Sequence, residues 1–262
     1  MRRRSPTSTR GNTATADMGS LGRGLDILRN LGTLGSVITV ADLAAQSGSS
    51  RVMAERLLRT LASEGFLNLI PGRENEGAYE PDLACLTLGT ALLSSFSELW
   101  QRQSVLQDIA RRFSVDVLVA TRDGTQALII EHAACAVLQQ TSLVGSAAPM
   151  ESNAWGRCLV WMHESAEQAS LIDGIRRVQG SRAMGALSAL YQAFQGLEES
   201  GCCMTDFDDH SVEIGIPVRA ARGSPFLAIG CVAPRVLLAD ALQLEALLNQ
   251  LRSLVRQIGE SV

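Results

Sequence analysis

The chain has 262 residues, 46% of them hydrophobic, and a formal net charge of −4, which suits one or two folded domains with a real core. All 23 basic residues are arginine, so chemistry that needs a lysine amine, such as a Schiff base or a phosphate-gripping P-loop, is excluded. No run approaches the roughly 18 apolar residues that span a bilayer, and a cytoplasmic protein is expected.

In chain order, residues 1–18 hold four arginines, many Ser and Thr and one acid. That composition reads as a disordered basic arm without a secretory signal. Residues 19–82 read as a first domain. Leu21, Leu25, Ile27, Leu28 and Leu31 mark a first helix. TVADLAAQ (residues 39–46) is a second, with Thr39 as N-cap and Asp42 completing a capping box. Gly48 supplies a tight turn, and Met53, Leu57, Leu58 and Leu61 give the next helix an apolar face with arginines off it. This is helix-turn-helix spacing. LNLIPGRENEGAYEPD (residues 67–82) then reads as a hairpin with its tip at Pro71–Gly77, which makes the unit a winged helix-turn-helix.

Charge follows the same division. Residues 1–82 carry ten arginines against nine acids, and residues 83–262 carry thirteen against eighteen. A local cationic footprint of that kind fits a first domain that meets double-stranded DNA phosphates and a second that does not.

Residues 83–103 are expected to form a linker helix, and residues 104–262 a second domain. There SVLQDIARRF is a helix, VDVLVAT and QALIIEHA pair across the turn RDGT, and CAVLQQTS (residues 135–142) is a third strand. Helices are expected near residues 154–164 and 184–199, then the strands SVEIGIPVR and PFLAIGCVAP, then an amphipathic helix over 238–258. Hairpin strands flanked by helices point to an α+β fold with a largely antiparallel sheet.

The strings LGRGLDIL, RLLRTLASEGFL, GSAAPMESNAWGRCLV, EIGIPV and AIGCVAP, in this order and spacing, resemble the IclR family of bacterial transcriptional regulators. The resemblance covers residues 21–259. It implies a winged helix-turn-helix, a linker helix and a GAF-like effector-binding domain, assembled as a homodimer or tetramer on operator DNA. The family often has a Ser-Thr pair where this chain has Val52 and Met53, so Ser49, Ser50, Arg51 and Arg56 become the main DNA-binding candidates. Met53 stands at one of those positions, and Arg73 on the wing is placed to hold a phosphate.

In PMESNAWGRCL, Ser152 or Asn153 would cap a helix whose first free amides belong to Ala154, Trp155 and Gly156, and such amides attract a carboxylate. The resemblance puts the effector there, against strand positions Gly230 and Val232, with Val137, Gln140 and Ala148 lining the pocket and Thr205 as a polar contact. Hydroxyls common in the family at positions 230 and 232 are absent. The expected effector is a small organic acid or an aromatic catabolite, and Trp155 offers a ring to stack on.

No G-x-S-x-G, H-E-x-x-H or dinucleotide fingerprint is present, so neither an enzyme nor a cofactor is expected. No cysteine or histidine spacing suits a metal. The alternatives are a redox-sensing regulator using the adjacent Cys202 and Cys203, or a small-molecule enzyme of unknown class.

Overall fold

A computed structural model describes residues 19–31, 37–95, 103–135, 144–218 and 226–259. It divides into two compact units, Met1–Leu92 and Leu93–Val262.

The first unit contains α1 (Gly19–Leu31), β1 (Ile38–Thr39), α2 (Val40–Ser47), α3 (Arg51–Ser63), β2 (Leu67–Leu69) and β3 (Ala78–Pro81), followed by the start of α4 (Leu83–Ser95). The expected capping box is present: the Asp42 amide donates to Thr39 Oγ1 at 3.1 Å and the Thr39 amide to Asp42 Oδ2 at 3.2 Å. Gly48 ends α2 at φ 62°, a left-handed conformation that glycine adopts without strain. Ser50 then caps α3 by accepting from the Met53 amide. Ile27, Leu31, Leu43, Ala54, Leu58, Leu67 and Tyr79 close over one core. β2 and β3 pair as the wing hairpin, and β1 adds to it through Ile38 opposite Tyr79. A two-residue strand is too short to show a period, so the sequence reading did not contain it.

The second unit contains α5 (Gln103–Phe113), β4 (Asp116–Asp123), β5 (Gln126–Ala133), β6 (Ala147–Pro149), α6 (Ala154–Trp161), α7 (Ser165–Gln179), α8 (Ala183–Ser200), β7 (Cys203–Asp206), β8 (Ser211–Val218), β9 (Leu227–Pro234) and α9 (Ala241–Gly259). The six strands run in the order β6-β5-β4-β9-β8-β7, with every neighbouring pair antiparallel. One face, carrying Val117, Val119, Ile214, Ile216 and Ile229, packs on α5 and α9; the other, carrying Leu118, Ala120, Ala228 and Val232, packs on α6, α7 and α8. Every residue of β8 is buried. Coverage on two sides is why SVEIGIPV and LAIGCVAP read as continuous apolar runs rather than alternating ones.

This is the α+β antiparallel architecture expected. In this unit three elements go beyond the sequence reading: β6, β7 and α7. The apolar face of α7 is confined to Leu171, Ile172 and Ile175, with Asp173 and Gly174 between them, which weakens the period. The expected strand over residues 135–142 lies outside the described residues except for Cys135.

Leu58 is fully buried, so Leu58→Ala should cost the first unit about 2–5 kcal/mol. Trp100, Trp155 and Trp161 all belong to the second unit. In a urea titration, part of the far-ultraviolet dichroism transition should move to lower denaturant while the tryptophan fluorescence transition stays in place.

Candidate functional site

On the winged unit, α3 buries Ala54 and Leu58 and turns Arg51, Val52, Arg56, Arg59 and Thr60 outward. Arg59 is drawn into an ion pair with Glu55 at 2.7 Å, and Arg73 on the wing into one with Glu76 at 2.6 Å. Among the described residues, Arg51 and Arg56 pair with no carboxylate, which leaves their guanidinium groups available to phosphates and guanines. Ser50 holds the α3 cap, and the Ser49 hydroxyl lies 2.6 Å from that of Ser47. Met53 is half-buried and lines a groove with Leu21, Leu25 and Leu28 of α1. Val52, 76% exposed beside Arg56, is an outward position that the sequence reading passed over.

In the second unit the site is built around the start of α6. Asn153 caps the helix: its Oδ1 accepts from the Gly156 amide at 2.7 Å, and its Nδ2 donates to the Pro149 carbonyl at 3.0 Å. The helix start lies directly on the sheet, because β8 and β9 present glycines there. A Cβ at Gly215 would come within 2.5 Å of the Ala154 carbonyl, and one at Gly230 within 2.5 Å of Leu118 Cδ1 and 2.7 Å of the Trp155 ring. Gly215 and Gly230 are direct cross-strand partners, so the two gaps are adjacent. The Trp155 ring fills the space beside Gly230 where a side chain would stand.

The amide of Ala154, expected from the sequence to face an effector carboxylate, donates instead to Glu213 Oε2 at 2.8 Å. Glu213 stands next to Gly230 and Val232 on the same face of the sheet, opposite Thr205 on one side and Val232 on the other. Burial pushes its carboxyl up to about 7, against the pull of the Ala154 amide and the Arg157 guanidinium. An acid inside an otherwise apolar strand was the available signal, and the sequence reading did not use it.

Among the expected effector residues, Ala154, Trp155, Gly156, Gly230 and Val232 are buried together on this face. Thr205 lines an adjoining cleft of about 420 Å³ with Arg157, Gln192 and Cys203. Ala148 is on β6 and pairs with Ala127, away from Glu213 at the opposite edge of the sheet order. Val137 and Gln140 lie outside the described residues. Trp155 is 95% buried, and among the described residues its indole Nε1 has no hydrogen-bond partner.

Cys202 and Cys203 are both buried, and burial holds the Cys203 thiol up at about 11 despite Arg157 nearby. A thiol kept protonated in this way is a slow nucleophile. Among the described residues no group of three His, Cys, Asp or Glu side chains is placed to hold a metal ion, and no helix is long and apolar enough to cross a membrane.

Residues 93–260 match the family described as the bacterial transcriptional regulator IclR C-terminal domain, and residues 20–69 match the IclR helix-turn-helix domain. The chain belongs to the IclR family. Like other IclR-family members, it is a transcriptional regulator with an N-terminal helix-turn-helix and a C-terminal effector-binding domain. The transcriptional repressor IclR of Escherichia coli (strain K12) is 23% identical over 231 residues, covering 84% of this chain and 82% of that protein. In fold, the chain is similar to an IclR-family transcriptional regulator from Brucella abortus, with TM-score 0.79 and 20% identity over 98% of this chain and 100% of that one. An IclR homolog from Microbacterium hydrocarbonoxydans, solved in complex with 4-hydroxybenzoate, gives TM-score 0.69 and 17% identity over 92% of this chain and 98% of that one.

Glu213 sets a test that needs no ligand. Its carboxyl is raised from 4.5 to about 7 on folding, so the folded state binds more protons between those values. The stability it contributes is present below pH 4.5 and lost as pH rises through 7. Between pH 5 and pH 8 the wild type should therefore lose ~2–3 kcal/mol relative to Glu213→Gln, read from denaturation midpoints of the two proteins at each pH. The comparison cancels the titration of the buried histidines, which the two proteins share.

Proposed function

We propose that this regulator reads operator DNA through the outward face of α3 and responds to a small, largely aromatic effector held between Trp155 and the β8–β9 strands. The observation that carries the DNA half is the pair of arginines, Arg51 and Arg56, on the exposed face of a capped second helix. Arg56, one helical turn beyond Val52, is placed to pair bidentately with a guanine, and Val52 to meet a thymine methyl group. Arg51 at the α3 N-terminus serves phosphates, as does Arg73 once DNA competes with Glu76 for it.

Assembly as a homodimer fits the short α3, which spans a single half-site. It also fits the apolar groove of about 550 Å³ among α1, α3 and α4, and the exposed Leu21 and Leu25 beside it. Effector binding then acts as a coupling between two sites, with a free energy on the order of 1–3 kcal/mol.

For the effector half, the support is the Trp155 ring lying over Gly230 with Val232 beside it, an aromatic wall against strand positions 230 and 232 that carry no hydroxyl. The homolog solved with 4-hydroxybenzoate is a precedent for an aromatic compound in this family. The regulatory reading rests on the family, whose members are transcriptional regulators.

The decisive experiment is fluorescence anisotropy on DNA from the gene's own neighbourhood, at fixed salt and against random competitor, because non-specific binding varies steeply with ionic strength. Arg56→Ala should weaken specific binding by about 1–3 kcal/mol, with the melting transition of the effector domain unchanged; undiminished binding removes Arg56 from the interface. With the operator in hand, Trp155→Ala should give a complex that no longer responds to the effector. A full response in that variant would move the site elsewhere.

A further inference from the structure

The outward face of α8 is unlike a solvated helix surface. The helix buries Ala183, Leu190, Ala193 and Leu197 against the rest of the effector domain. On the side turned away from these, Met184 is 85% and Tyr191 53% exposed, with Leu187 and Phe194 half-buried next to them. Steps of three, four and three residues set the four side chains in one stripe along the helix. The Tyr191 and Phe194 rings meet edge to face, 6.0 Å between centroids, which orients the middle of the stripe. Gly185 and Ser188, both exposed beside it, are small enough to let another helix come close.

The charges at the ends of α8 are the reverse of what its own dipole favours. A helix N-terminus stabilises acids, and a C-terminus stabilises bases. In α8 the first turn has no acid and the last turn no base. Arg182 instead stands immediately before the helix, while Glu198 and Glu199 occupy its last turn, and all three are exposed. From Gly174 to Leu197 the chain has no carboxylate at all, although the second unit as a whole is acidic. Among the described residues neither Arg182 nor Glu198 is in an ion pair, and Glu199 accepts from Gln195 Nε2 at 3.0 Å.

A second α8 laid antiparallel on the first would offset both mismatches. We infer that two copies of the chain associate through this face, by isologous pairing of their α8 helices about a two-fold axis near Tyr191. Arg182 lies on one side of Tyr191 and the two glutamates on the other, each about 10–14 Å away along the helix axis. With Tyr191 on the axis, Arg182 of one copy therefore meets the partner subunit's Glu198 and Glu199, and the same contact repeats at the other end. The antiparallel direction also sets the positive end of each helix beside the negative end of the other. A parallel pair would oppose arginine to arginine and glutamate to glutamate. The complement of an apolar stripe that starts with Arg and ends with Glu is the same stripe turned around, and this is what selects a second copy as the occupant.

The surface belongs to the second unit, so it does not depend on the groove proposed for dimerisation in the first. One pair of 18-residue helices buries little area. The contact is accordingly weak by itself and gains from the effective concentration that an existing dimer provides.

The test is the molar mass of the full-length protein at micromolar concentration by analytical ultracentrifugation. It compares the wild type with two charge-reversed variants, Arg182→Glu and Glu198→Arg/Glu199→Arg. Each variant alone places like charges at both ends of the α8 pair, and its association through α8 should weaken at least about tenfold. An equimolar mixture repairs both ends. At one, the reversed charge at 182 faces the reversed charges at 198 and 199; at the other, native Arg182 faces native Glu198 and Glu199. The mixture should regain the mass of the wild type while each variant alone stays lighter, and that recovery also shows that both variants are folded.

A wild type and variants of one and the same mass would overturn the inference: self-association then belongs to the groove of the winged unit or is absent, and the α8 stripe is left to a different protein. A mixture that stays as light as its components would overturn it as well, because the two-fold register requires the opposite charges to meet.

Discussion

Helix α6 begins where it does because β8 and β9 carry no side chain at Gly215 and Gly230, two residues that face each other across the strand pair. That absence lets the first turn of the helix rest on the sheet backbone and lets the Trp155 ring and Leu118 close over Gly230. Asn153 and the turn around Met150 hold the helix from the other side. A methyl group at Gly215 would collide with the Ala154 carbonyl, and no side-chain movement relieves a clash with backbone. The effector domain is thus organised around a close approach that only glycine permits.

The same close approach explains Glu213. With the helix start pressed against β8, the amide of Ala154 is shut away from water and needs an acceptor. Glu213, two residues along β8 on the same face, supplies one. Burying a carboxylate is costly, and its raised proton affinity is the expression of that cost. A neutral amide could accept from Ala154 as well, so the carboxyl is what makes this helix start sensitive to pH.

In the winged unit the constraints are local and of a different kind. Thr39, Asp42 and Ser50 define the starts of α2 and α3 through bonds spanning three residues, and Gly48 ends α2 through its left-handed conformation. Short-range chemistry of this sort is written directly in sequence, as is the apolar spacing that buries Ala54 and Leu58. Availability of the arginines is not. Four cations lie on α3 and the wing, and which of them are engaged depends on the carboxylates beside them: Glu55 for Arg59 and Glu76 for Arg73, with Arg51 and Arg56 left over among the described residues.

The sequence by itself determined the α+β class, the capped helix-turn-helix with its wing, the buried strands β8 and β9, and the helix start at Ala154, because each rests on periodicity or on bonds between near neighbours. Only the tertiary structure decided what faces that helix start. Glu213 is 59 residues from Ala154 along the chain, and nothing in PMESNAWGRCL announces an acid arriving from another strand. β6, β7 and the third wing strand were likewise illegible, since strands of two to four residues draw their stability from the partners they pair with rather than from their own pattern. The chemistry of the pocket therefore belongs to strand register, and register is set by the packing of the whole sheet.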